Sequence, residues 1–105
     1  MIEKIYNLKM TDEDIVEKVI ADDYIHYNHM VLTKGNSLPV HNANSNVYMT
    51  VLRGTLSLDL EDQKTHAYTA GTIINIPKGT KMHPQNLNDE ILEFIVIKAP
   101  APKHK

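Results

Sequence analysis

The chain has 105 residues, a formal net charge of -2 and no cysteine. That length suits one domain, 1–105, and not two, while the charge gives no electrostatic case for nucleic acid or an anionic membrane as partner. Without thiols there are no disulfides, thiolate metal sites or cysteine nucleophiles, and no segment approaches the roughly 20 apolar residues that span a bilayer, so a cytoplasmic protein is expected.

In chain order, residues 2–8 read as a strand. Glu3 and Lys4 interrupt its apolar residues, so it does not have the unbroken apolar run of a signal peptide. Residues 11–20 form the one helical candidate. Thr11 sits at the cap, Asp14 stands where a capping-box acid would, and Ile15, Val16, Val19 and Ile20 fall on one face. A long β-rich run over 24–33 ends at Gly35-Asn36-Ser37. Residues 47–52 predict a strand stopping at Arg53-Gly54, and Leu56, Leu58 and Leu60 alternate with Ser57 and Asp59 in the next. Further strands are expected over 65–68, 72–76 and 91–97, the last closed by Ala99-Pro100-Ala101-Pro102, which cannot continue a sheet. Short acidic runs such as Asp12 to Asp14 read as solvated turns, and Lys98, Lys103 and Lys105 as a mildly basic tail. About eight short strands with regular turn signals argue for an all-β sandwich or barrel, not βαβ units.

The turn residues follow a recognisable pattern. Gly35, Pro39 and His41 lead to Gly54 with the spacing G-x5-H-x-H-x3,4-E-x6-G, over about 35–54. Gly71, Pro77, Gly79 and Asn86 fit G-x5-P-x-G-x2-H-x3-N, over about 71–86. Turn residues fix hairpin register, so their matching over two stretches is specific. The chain resembles the cupin superfamily, and the resemblance implies a cupin-type double-stranded β-helix, a jelly-roll barrel, here with one short N-terminal helix. It also implies a homodimer, since cupins commonly add an N-terminal strand to a partner's sheet, which would here be residues 2–8.

Cupin enzymes hold a divalent metal with three His and one Glu. At those four positions this chain has His41, Ala43, Val47 and Met82. One imidazole cannot hold a divalent ion firmly, and a thioether suits only a copper-like ion. No cofactor is expected beyond a weakly held divalent or copper-like transition metal. Any metal would need His41 with His83, His29 or Met82. His83 follows Met82 directly and so should face the other side of a strand. His26 and His29 differ by three positions and point to opposite faces.

Asn42, Asn44 and Asn46 make an amide-rich loop, as suited to turns as to a neutral polar ligand such as a sugar or amide. Met49, Met82, Val47 and Val51 line an apolar lumen or form plain core. The leading expectation is a barrel that binds an unidentified small molecule, with His41, Asn44, Asn46, Met49, Met82 and Asn86 as lumen residues. The first alternative is a metal-dependent cupin enzyme, of oxygenase or isomerase type, built on His41. The second is a metal-free acid–base isomerase with His41 as base, which needs an orienting carboxylate that the motif register does not supply.

Overall fold

The computed structural model describes residues 1–103, so Lys105 of the basic tail lies outside the described residues. Among the described residues nine strands follow in order: β1 (Ile15–Ala21), β2 (His26–Leu32), β3 (His41–Asn42), β4 (Val47–Arg53), β5 (Thr55–Leu60), β6 (His66–Thr69), β7 (Ile73–Ile76), β8 (Lys81–Gln85) and β9 (Leu92–Lys98). They make a five-stranded sheet, β1-β2-β9-β4-β7, and a four-stranded sheet, β3-β8-β5-β6. Every strand pair is antiparallel. The chain is all-β, with the strand order of a jelly roll.

Period-two alternation decides what goes inside. Met30 pairs with Phe94, and Phe94 with Val51, so these three share one face of the large sheet. Leu58 pairs with Pro84 and Leu60 with Met82 on the facing sheet. Met49, Leu56, Leu58, Ile76, Leu92, Phe94 and Val96 join them in one core cluster. Burying each such side chain contributes about 1.5–3 kcal/mol, offset by the entropy of ordering it.

Two motif glycines are held in place by geometry. Gly54 turns β4 into β5 at φ +77, and a Cβ there would lie 2.2 Å from the Ile91 carbonyl oxygen. Gly79 has φ +90 and donates its N–H to Ala43 at 2.7 Å, while Ala43 donates back to Thr80 at 2.9 Å. The two motif stretches are thereby tied together at one end of the barrel.

The expected helix over 11–20 does not form; its second half is β1. Ile15, Val16, Val19 and Ile20 are β-branched, which favours a strand, and the exposed edge of β2 offers them a ladder. Nor do the cap residues cap. Thr11 Oγ1 accepts from the Glu13 N–H at 3.1 Å, and Asp14 reaches the Thr33 N–H at 2.7 Å and the Asn36 amide at 2.8 Å. That contact with Thr33, followed by Asn36, holds the Asp14 carboxyl below its usual range. Residues 2–8, read as a strand, pair with nothing among the described residues and expose Ile2, Ile5 and Tyr6.

Two strands escape the sequence reading. β3 has only two residues. β8 contains Pro84, which signals irregular backbone. Pro84 is tolerated because its carbonyl accepts from Leu38 at 3.0 Å on the side away from β5. Its missing N–H lies on the same side, opposite Leu38, so the ladder between β8 and β5 is spared.

Candidate functional site

The positions that carry metal ligands in cupin enzymes are occupied by core. Ala43 is 3% exposed, Val47 0% and Met82 2%. His41 stands opposite Met82 in the β3–β8 pair and so on the inner side, yet at this edge it is exposed. Its Nδ1 donates to the Pro39 carbonyl at 2.8 Å. These residues do not fit the metal of a standard cupin centre: one imidazole and one thioether face two alkyl side chains. Among the described residues, no three His, Asp or Glu side chains gather where one ion could bind them all.

The other histidines do not join His41. His83 faces outward beside Asp59, 3.8 Å away, as strand alternation requires. His29 lies on the outer face of the five-stranded sheet, paired with Glu17. Of the partners considered for His41, only Met82 shares its side. No carboxylate contacts His41 among the described residues, so the arrangement needed for acid–base work on it is absent there.

Nor do the six expected lumen residues form one site. Met49 and Met82 are packed in the core. Asn86 is fully buried and committed to structure: its amide donates to the Leu32 and Glu90 carbonyls at 2.9 and 2.8 Å, and its oxygen accepts from the Asn88 N–H at 3.0 Å. Asn44 and Asn46 come together elsewhere, on the rim of an open basin of about 1230 Å³.

This basin lies where β2 begins and β9 ends, and its build follows from strand alternation. The inward series of β2 runs Leu32, Met30, Asn28, and that of β9 runs Phe94, Val96, Lys98. Each series is apolar in the core and turns polar at the same end. Lys98, expected in a solvated basic tail, is the last residue of β9 and half-buried. Lys18 pairs with Asn28 from β1, just before a bulge.

The far wall is the 43–46 loop and the C-terminal segment, clipped together. Ser45 Oγ donates to the Pro100 carbonyl at 2.5 Å, and Ala99 N–H donates to the Asn46 carbonyl at 3.0 Å. The Asn46 side-chain oxygen accepts from Asn75 at 3.0 Å. Four lysines (18, 78, 98 and 103) line the basin against two aspartates, Asp22 and Asp23. Asp22 is already engaged by the Ile25 and Tyr24 N–H groups at 3.0 and 2.9 Å, which hold its carboxyl low. Burial, and then the charge of Lys18, push the Lys98 ammonium below the ordinary lysine range.

The sequence reading missed Lys18, Asn28 and Lys98. The signal was available, because Asn28 and Lys98 each continue an inward apolar series by one more step of two residues.

A second polar assembly covers the outer face. Arg53 Nε donates to Glu93 at 2.8 Å, and His29 meets Glu93 through Nε2 at 2.5 Å and Glu17 through Nδ1 at 2.9 Å. Both contacts are made at once when both ring nitrogens carry protons. The His29 contact, then the Lys9 N–H, hold the Glu17 carboxyl below its usual range. Arg53 also reaches Asp12 at 2.9 Å and the Thr11 carbonyl at 2.8 Å, so residues 9–12 lie over the row. Its bond to Asp12 holds the guanidinium above its ordinary value. A hollow of about 550 Å³ between Met10 and Glu93 remains there, lined by groups already bonded to one another.

The comparisons agree with this architecture. A family model described as the cupin domain matches residues 28–98. The uncharacterized protein MJ0764 of Methanocaldococcus jannaschii is 43% identical over 104 residues, covering 98% of this chain and 90% of that protein. The crystal structure of that organism's RmlC-like cupin family protein, with a double-stranded β-helix fold, superposes with a TM-score of 0.94, covering 97% of this chain and 94% of that one. TT1209 from Thermus thermophilus superposes with a TM-score of 0.76 at 18% identity, covering 86% of each chain, a likeness of fold alone. With its two sheets, its motif turns and these matches, the chain belongs to the cupin family.

Proposed function

We propose that this cupin binds a small polar molecule at the open mouth of its barrel, without the three-His, one-Glu metal centre of the family's enzymes. The observation that supports this is the contrast at the motif end of the fold. The space between the sheets is filled by Val47, Met49, Met82 and Phe94, each 2% exposed or less, while a basin of about 1230 Å³ rimmed by charged and amide side chains opens beside them. Ligand pockets of folded domains typically span roughly 300–1,000 Å³ with a few convergent polar groups, so the basin has room for a metabolite-sized molecule. Its position adjusts the expectation from sequence: the ligand sits at the mouth, beside Asn44 and Asn46, not between the sheets.

The test pairs elemental analysis of untagged protein with thermal melts in divalent metals and in a library of small polar metabolites. Ligands that bind only the folded state raise its melting temperature, by about 2.7 kcal/mol of stability at a hundredfold excess over Kd. Stabilisation by a metabolite, with sub-stoichiometric metal and no shift in divalent ions, is the expected result. Near-unit metal with a matching stability gain would overturn the reading in favour of a metal-dependent enzyme built on His41.

A further inference from the structure

We propose that the basin is an oxyanion site for a small organic carboxylate, held between Lys98 and Lys18 with the Asn28 amide donating to one of its oxygens. This rests on the binding reading above and names the chemical class of the ligand.

Three adjacent strands bring these groups to one face. Lys18 stands directly opposite Asn28 across β1 and β2, and Lys98 is the diagonal neighbour of Asn28 across β2 and β9. Direct cross-strand neighbours sit about 5 Å apart and diagonal ones about 7–8 Å, so both ammonium groups can reach a carboxylate placed over Asn28.

The amide and the amine are each left wanting by the protein itself. Asn28 is 8% exposed, and its side chain makes no hydrogen bond among the described residues, although it borders the basin. No buried side-chain nitrogen or oxygen lacks a partner among the described residues, so the Asn28 amide opens onto the basin, where it is free to bond a ligand in place of water. Lys98 is half-buried and forms no ion pair among the described residues, and the like charge of Lys18 acts on it. Two ammonium groups on either side of Asn28 repel without an anion, and a bound carboxylate converts that repulsion into two charge-assisted contacts. The rim aspartate best placed to compete, Asp22, is held by the N–H groups of its own turn.

The class of anion follows from what surrounds it. Lysine ammonium groups are compact point charges, without the planar fork of arginine. No helix N-terminus is present to cradle a phosphate, because the described residues contain no helix. Pro100, Ala101 and Pro102 form an apolar stretch of wall that suits a short carbon chain. An aliphatic carboxylate satisfies both halves.

The experiment follows backbone amide shifts by NMR while propanoate is added, with propanamide as the neutral isostere, inorganic phosphate as the competing oxyanion and sodium chloride matching ionic strength. Saturable propanoate shifts centred on residues 28, 44–46 and 98 are expected, with weaker effects from the other three solutes. Lys98→Gln and Lys18→Gln should each weaken propanoate at least about tenfold, the loss of one charge-assisted contact. Lys64→Gln, the same charge change on an exposed residue outside the basin, should leave it unchanged. Absence of saturable shifts, equal effects in all three variants, or tighter binding of phosphate would each overturn the inference. If propanamide binds the basin as well as propanoate, the anion is wrong and the binding reading stands. If no solute binds here and the metabolite library also fails, both fall.

Discussion

The two faces of the five-stranded sheet are made from the same strands and have opposite chemistry. Along β9, Leu92, Phe94 and Val96 enter the core, while Glu93 between the first two points outward to Arg53 and His29. The inner face carries Val47, one of the family's motif positions, and is sealed hydrocarbon through the core. The outer face carries a completely buried histidine between two carboxylates under residues 9–12. A buried, hydrogen-bonded histidine is usually read as a sign of chemistry; here its neighbours satisfy one another and close a structural row. The unmet polar groups are instead at the barrel mouth, where the inner face changes from apolar to polar. Burial alone does not mark a site; polar groups that the protein leaves unbonded at an opening do.

The largest expected effect is on the inner face. Phe94→Ala should destabilise the protein by about 3–5 kcal/mol through lost burial and the cavity left behind, read as a lower urea midpoint. A much smaller loss would show that the space between the sheets is loosely filled and able to hold a ligand, which would erase the contrast between faces.

His29→Leu comes next. It leaves Glu17 and Glu93 facing each other across a buried apolar group, and breaking such a network from one side costs about 3 kcal/mol. Urea unfolding again provides the measure. A neutral outcome would mean the row contributes register and little stability.

The smallest effect is a pH slope. Glu17 and Asp14 are held below their ordinary values of 4.5 and 3.8 in the folded protein. A depressed folded value means the stabilisation is fully present above those ordinary values and is lost as pH falls through the lower folded ones. Melting temperatures should therefore be flat from neutral pH to about 5 and fall below that. Glu17→Gln should flatten the fall, and an unchanged slope would place the acid sensitivity elsewhere.

Much of the fold could be read in the sequence, because the signals were local. Leu56, Leu58 and Leu60 alternate visibly, and the expected strand coincides with β5. The motif glycines at 35, 54, 71 and 79 all have positive φ, so the turns stand where the spacing put them. Where local signals conflicted, the reading failed. Thr11 and Asp14 looked like caps, yet the β-branched residues after them found a strand edge supplied by β2, some ten residues further on. Pro84 looked like a break, and only the pairing of β8 with β5 on its other side made it harmless.

The sequence by itself determined the barrel, its turns and the loss of the usual ligands at Ala43, Val47 and Met82, because residue identity and period-two spacing are enough for each. It did not determine the site. Lys18, Asn28 and Lys98 come from three separate stretches, and each looks ordinary in its own. Only the pairing of β1 with β2 and β2 with β9 sets two like charges around an unbonded amide. Electrostatics depends on distance through space, and that distance exists only once the strands have paired.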